Sequence, residues 1–319
     1  MSRQPVWLGI DTSNYTTSAA FCDSEGRVIA NLKVPLPVRE GECGLRQSDA
    51  VFAHVKNMPQ LMAKCREALG DVYTPVAVGV SATPRDVEGS YMPCFLSGQA
   101  VASAVSAAMD IPMYTFSHQN GHIRAALYSA GCARELMGKP FCAFHVSGGT
   151  TEVLRVTPTE TSFSVEQVGG TADINAGQAI DRVGVMLGLR FPCGPALEKL
   201  AAENTAKVPK PRITVRDGVC NLSGLENLAS KLYAERGDRA LVAAYVLTFI
   251  GDTLVRMTEH LLEKYPETPV LYAGGVMSNR YLQERLAHAC RAFFAEPAFS
   301  ADNAAGICLL CREHDMRVR

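Results

Sequence analysis

A chain of 319 residues with a formal net charge of −1 and 20% charged residues has room for one large or two ordinary domains and the composition of a soluble globular protein. Near-neutrality argues against a protein that coats nucleic acid nonspecifically, because such proteins carry a strong basic excess. No uninterrupted apolar run reaches the roughly 18 residues of a bilayer span, "MSRQPVWLGIDTS" enters a strand pattern at once, and eleven scattered cysteines form no disulfide framework. These features predict a cytoplasmic protein with free thiols and no membrane association.

In chain order, "VWLGIDTSNYTTSAAFCD" (6–23) reads as a β-hairpin around a turn rich in hydroxyls, with Asp11 at the end of its first strand. "VIANLKVPL" adds a third strand, "SDAVFAHVKNMPQLMAKCREALG" an amphipathic helix stopped by glycine, and "PVAVGVSA" a further strand. "FSHQNGHIRAAL" (116–127) then opens a helix that carries His118 and His122 at i and i+4. Imidazoles so spaced share one helix face and can grip one divalent metal; a surface helix with two histidines fits the spacing equally well. The zinc-protease pattern needs Glu after the first His, and Gln119 stands there, so peptide hydrolysis lacks its base. Two ligands are too few, and Asp302 in "FSADNAAGICLL" is the candidate third; an Asp before an Ala-rich helix is also an ordinary N-cap.

The second half repeats the plan. "FCAFHVSGGTTEVLRVT" (141–157) is another hairpin, with Ser147, Gly148 and Gly149 in its turn, and "FSVEQVGG" is its third strand. "AGQAIDRVGVMLGL" is helical, and "TPVLYAGGV" is a strand running into Gly274 and Gly275. A strand–Gly–Gly–helix junction suits the adenosine or phosphate part of a nucleotide, since no Cβ stands in the way. Asn279 beyond it reads as a base or ribose contact or as a helix cap. "KVPKPRITVR" gathers Lys207, Lys210, Arg212 and Arg216, either a solvated loop or a local basic patch. Cys308 and Cys311 form a C-x-x-C pair with no second pair to complete a zinc site, and read as core-facing cysteines of a terminal helix.

Hairpin, third strand, helix, strand and helix, occurring twice, predict an α/β fold of the duplicated actin-like, sugar-kinase and Hsp70 ATPase type, with two lobes around a central cleft. The hairpin turns would offer backbone N–H groups and hydroxyls to phosphates. The expected parts are a first lobe over 1–138, a second over 139–301, and a C-terminal helix over 302–319 returning to the first.

The ordered blocks "LGIDTS", "HQNGHIRAAL", "VSGGTTEV", "AGQAIDRVGVMLGLRFPCGPALEKLA", "NLSGLENLA", "AGGVMSN" and "SADNAAG" resemble the TsaD family of tRNA threonylcarbamoyladenosine synthases, once described as O-sialoglycoprotein endopeptidases. The similarity covers nearly the whole chain. It implies that His118, His122 and Asp302 bind one catalytic metal, iron or zinc, with Asp11 close by as a catalytic group. It implies that Val146, Ser147, Gly148, Gly149 and Thr150, with Asp181, Gly194 and Asn279, hold the nucleotide part of threonylcarbamoyl-AMP, or ATP. The acceptor would be the exocyclic amine of the adenosine next to the tRNA anticodon. The implied partners are tRNA, through the basic patch, an adenylate-forming synthase and accessory subunits; self-association is left open. Without the resemblance, Asp181 reads as a surface charge or a partner of Arg182, and Gly194 as a turn residue.

The chain departs from the family in its first half. Asp11 replaces Glu, and Tyr15 and Thr16 stand where the family has an acidic pair. Thr150 follows the Ser-Gly-Gly loop in place of His. "SATPRDVEGSYMPCFLSG" replaces a Gly-Pro-Gly segment and adds Arg85, and His54 keeps its place without the preceding Pro-Glu. The pattern suits a divergent paralogue, and the alternative to the transferase is a noncatalytic nucleotide- and metal-binding protein with a regulatory or complex-forming role.

Overall fold

The computed structural model describes residues 3–13, 15–37, 45–300 and 304–319. In chain order the first elements are β1 (Gln4–Ser13), β2 (Thr16–Cys22), β3 (Val28–Pro35), α1 (Gln47–Leu69), β4 (Tyr73–Thr83), α2 (Phe95–Met109), β5 (Met113–Ser117), α3 (His118–Ser129) and the short α4 (Ala133–Leu136). They are followed by β6 (Phe141–Val146), β7 (Thr151–Pro158), β8 (Phe163–Thr171), α5 (Ala176–Met186), α6 (Gly194–Ala202), β9 (Thr214–Arg216), β10 (Val219–Asn221), α7 (Leu225–Arg236) and α8 (Arg239–Lys264). The chain ends with β11 (Val270–Ala273), a 3-10 turn (Gly275–Ser278), α9 (Arg280–Ala289), β12 (Ala292–Phe294), α10 (Pro297–Ser300) and α11 (Ala305–Val318).

The chain forms two compact units. The first comprises Met1–Ala133, Pro158–Ser164 and Ala298–Arg319, and the second Arg134–Thr157 and Val165–Pro297. In the first, the sheet order is β3-β2-β1-β4-β5. β1 pairs antiparallel with β2 and parallel with β4, so it lies mid-sheet. From Val6 to Ser13 every residue of β1 is buried, because α2 packs against this strand and α11 packs against it too. A strand covered on both faces reads as a continuous apolar run, as "VWLGI" does. Val6, Leu8, Ile10, Phe21, Leu61, Val78 and Val80 form its core. Cys308 and Cys311 are both fully buried on α11, and all described cysteines are free thiols.

In the second unit the order is β12-β11-β6-β7-β8-β10-β9. Here β6 pairs antiparallel with β7 and parallel with β11, which in turn lies parallel to β12. Strand for strand, β8-β7-β6-β11-β12 repeats β3-β2-β1-β4-β5, so the duplication read from the sequence is present in the sheet wiring. What the second unit adds is the segment from α6 to α8 and the β9–β10 hairpin, which extends the sheet beyond β8. α8 starts where the Asp238 carboxylate accepts Leu241 N–H at 3.0 Å. It is long and apolar enough to cross a membrane by length and composition, but most of it is buried. Val242, Val246, Phe249, Ile250, Leu254 and Met257 on it form the centre of this unit's core.

Candidate functional site

Two sets of residues are brought together, one in each unit. In the first unit, β5 ends and α3 begins at Ser117, whose hydroxyl caps the helix by accepting Asn120 N–H at 3.2 Å. His118 is therefore the first helical residue, and His122 lies one turn on. Their rings meet edge to face with centroids 4.3 Å apart, and their Nε2 atoms stand 2.9 Å apart. The other nitrogen of His118, Nδ1, lies 3.0 Å from Asp11 Oδ1. Asp11 is completely buried, and Ser13 Oγ donates to its second oxygen at 2.8 Å. The order of groups is thus carboxylate, imidazole, imidazole.

Neighbouring residues fix this row. The replaced loop after β4 returns Asp86 to the start of α3, where its carboxylate accepts Ser117 Oγ at 3.1 Å and an Asn120 amide N–H. Burial pushes the Asp86 carboxyl above its ordinary value, and the Ser117 hydroxyl opposes that shift. Along the same helix, α3 packs against α11. Arg124 forms a two-pronged ion pair with Glu313, at 2.7 and 2.9 Å, and Gly306 touches the backbone of Gly121. Gly121 lies between the two histidines in sequence, so the first turn of α11 is anchored at their level. Asp302, three residues before that turn, lies outside the described residues.

The donor set has the spacing of a metal-binding pair. Two nitrogens each about 2.1 Å from a common ion lie about 3.0–3.4 Å apart, depending on the angle at the metal. The 2.9 Å between the facing Nε2 atoms is close to that range. An outer carboxylate on the far ring nitrogen is the usual support of a metal-ligating histidine. Two imidazoles with one carboxylate suit iron or zinc. The pair therefore fits, although among the described residues no group of three His, Cys, Asp or Glu side chains surrounds one point.

The second unit assembles a closed circuit of contacts. The turn after β6 closes with Ser147 N–H on Thr150 O at 2.7 Å, and Ser147 Oγ accepts the N–H groups of Gly149 and Thr150 at 3.3 and 3.1 Å. Gly148 and Gly149 are exposed. The turn rests on the first helical residues of α5, where Gly177 N–H donates to Ser147 O at 3.1 Å and an added Cβ would meet Gly148 N at 2.7 Å. One turn along α5, Asp181 accepts Cys193 N–H at 2.7 Å and so holds Gly194 at the start of α6. Its side chain caps that turn, whereas Arg182 pairs with Glu226 at 3.6 Å. Farther along α6, Glu198 accepts Arg280 N–H at 2.8 Å. Asn279 next to it caps α9 by accepting Leu282 N–H at 3.1 Å. Gly274 closes the circuit. Its φ of +103° and its contact with the Val146 carbonyl leave no room for a side chain. Val146 to Thr150, Asp181, Gly194, Gly274, Gly275 and Asn279 thus belong to one ring built from a glycine turn and the starts of three helices, which is rich in N–H groups.

Sequence reasoning did not identify His54, Glu198 and Glu313 as partners. His54 is buried on α1, with Nδ1 2.9 Å from Thr17 Oγ1. Burial holds its imidazole below the ordinary value, against the opposing pull of the Ser13 backbone and Asp11. The Glu198 and Glu313 contacts span 82 and 189 residues, so no local spacing signals them.

The wiring of both sheets is that of the actin-like ATPase class. The structure superposes on the activator of the 2-hydroxyisocaproyl-CoA dehydratase from Clostridium difficile at a TM-score of 0.53 and 11% identity, covering 98% of this chain and 96% of that one. A ROK family glucokinase from Streptomyces griseus matches at 0.50 and 14%, over 96% and 98%. Full-length HypF matches at 0.58 and 12%; all but 1% of this chain is covered, and it spans 56% of HypF. The family model for TsaD, tRNA N6-adenosine threonylcarbamoyltransferase, matches residues 48–308. The chain belongs to that family.

Proposed function

We propose that the protein transfers a threonylcarbamoyl group from threonylcarbamoyl-AMP to the exocyclic amine of the adenosine beside a tRNA anticodon. The observation that carries this reading is the meeting of His118 and His122 beside a buried Asp11, in a chain whose family is described by that transfer. In the reaction the amine nitrogen attacks the carbamoyl carbon. A C–N bond forms, the bond from carbon to the phosphate oxygen breaks, AMP leaves with the electron pair, and the amine gives up one proton. No side chain needs to become covalently attached.

Each set of residues has a part in this scheme. The ring from Val146 to Asn279 binds the adenylate: Gly148 and Gly149 allow close approach of the phosphate, and the helix starts favour its negative charge. Proteins of the same fold solved with ADPNP, AMPPNP or nucleotide support an adenine nucleotide, ATP or the adenylate, as the ligand. His118 and His122, with Asp302 as third ligand, would hold one iron or zinc ion. Such an ion supplies Lewis-acid stabilisation of charge on the carbonyl oxygen. Lys207, Lys210, Arg212 and Arg216 are all exposed and offer tRNA phosphates a basic strip beside the β9–β10 hairpin. The protein works in the cytoplasm with an adenylate-forming synthase and accessory subunits.

The test is reconstitution with the adenylate-forming partner, accessory subunits, threonine, bicarbonate, ATP and unmodified tRNA, followed by nucleoside mass spectrometry. Modified adenosine from wild type and none from His118→Ala is the expected result. No product from wild type, beside a working family enzyme, overturns the reading. Exposed Tyr15, where relatives have an acidic residue, favours a second reading as a noncatalytic nucleotide- and metal-binding subunit. That reading expects calorimetric nucleotide binding without turnover, and unchanged cellular function in His118→Ala.

A further inference from the structure

We propose that Asp11 is a positioning residue whose carboxylate holds His118 in the Nδ1–H tautomer and keeps the lone pair of Nε2 aimed at His122. This rests on the metal-binding part of the function proposed above, and it assigns Asp11 no contact with substrate.

A carboxylate can only accept hydrogen bonds. The 3.0 Å approach of Asp11 Oδ1 to His118 Nδ1 therefore requires the proton on Nδ1. In a neutral ring that leaves Nε2 unprotonated, and Nε2 is the atom 2.9 Å from Nε2 of His122. The carboxylate has little freedom to move away. Asp11 is fully buried on mid-sheet strand β1, opposite Ser18 of β2 in register. Ser18 Oγ donates to its backbone carbonyl at 3.2 Å, and Ser13 Oγ holds Oδ2 at 2.8 Å. Its neighbour Thr12 is tied to the start of α2, accepting Gly98 N–H at 3.1 Å and donating to Cys94 O at 3.0 Å. The imidazole is equally constrained, because Ser117 and Asp86 fix the first turn of α3. A strand and a helix thus set one proton on one ring nitrogen, as outer carboxylates do for metal-ligating histidines.

The decisive substitution is Asp11→Asn. It keeps the size of the side chain, and with Ser13 Oγ still donating to the remaining oxygen it turns the amide N–H toward Nδ1, which would move the proton to Nε2 and block that atom. Nitrogen-15 spectra of the imidazoles in the metal-free full-length protein, with His118 assigned through His118→Gln, should show Nδ1–H in wild type and Nε2–H in Asp11→Asn. Zinc affinity by chelator competition should fall 10- to 100-fold in Asp11→Asn, and stay within about threefold in Glu263→Gln, the same carboxylate-to-amide change at an exposed position of α8. An Nε2–H ring in wild type overturns the proposal. So does an unchanged tautomer in folded Asp11→Asn, or zinc binding as tight as wild type in that variant. If Asp11→Asn does not fold, the wild-type spectrum decides alone. If wild type binds neither zinc nor iron yet the proton moves between variants as stated, the positioning role stands and the metal reading falls.

Discussion

Replacing Gly306 with alanine drives a methyl group from α11 into the backbone of α3. The new Cβ would overlap the Gly121 carbonyl oxygen and lie 2.9 Å from Ala125 N. Both obstacles are main chain and cannot turn aside, so the helices must part. Overpacking of this kind costs about 1–3 kcal/mol, and the rigid neighbours place this site at the upper end. Alanine gains about 1 kcal/mol over glycine as a helix former, which leaves a net loss of about 2 kcal/mol. The reciprocal change, Gly121→Ala, meets the movable tip of Ile307 at 2.8 Å and nothing else as close, so its helix gain offsets the contact and stability stays within about 1 kcal/mol of wild type. Urea unfolding followed by circular dichroism measures both, and a thermal midpoint should fall about 2–4 °C per kcal/mol for a unit of this size. Gly306→Ala as stable as wild type, or less disturbed than Gly121→Ala, would refute the close-packed account of this helix pair.

Asp315→Ala strands the Trp7 indole N–H, which donates to the carboxylate at 2.8 Å, and the Tyr114 hydroxyl, which donates at 3.0 Å. Losing a buried charged acceptor with these partners should cost about 2–4 kcal/mol in urea unfolding, and Arg319, mostly exposed, adds little. The same substitution should let Tyr114, whose pKa is pushed up to about 12 by burial and by Asp315, ionise at lower pH, as read by alkaline absorbance titration. His54 titrates below its ordinary 6.5 when folded, so the unfolded chain binds more protons just below that pH. Its contribution to stability is therefore present above pH 6.5 and lost as the pH falls through the depressed folded value. His54→Gln should flatten this acid-side loss relative to wild type, and parallel pH–stability curves would refute the assignment.

Much of the architecture was legible because it is written in short-range patterns. Both hairpins, the helix over 47–69 and the paired strands of the sheets follow from alternation, helical spacing and glycine stops. The repeated order of these patterns gave the duplicated wiring. Contacts between residues distant in sequence were not legible. Asp181 reads locally as a surface charge, yet it caps a turn twelve residues on, because α5 folds back against α6 across Gly184 and Cys193. The 26-residue α8 is less legible, because from Leu241 to Gly251 almost every residue is buried and a helix covered on all sides reads as a plain apolar run there. The spacing of His118 and His122 showed the pair, but not that Asp11, 107 residues earlier, stands behind it. Only the sheet brings that carboxylate to the start of α3.

The chain has a single tryptophan, Trp7 on β1, 5% exposed and bonded through its indole nitrogen to Asp315 near the end of α11. The molecule therefore carries one indole fluorophore, excitable apart from its ten tyrosines, at the seat of its terminal helix. Its emission colour and decay would follow release or reseating of that helix without any attached dye. Because α11 begins just after Asp302, the same optical signal would show whether loading zinc or iron shifts this helix against the sheet.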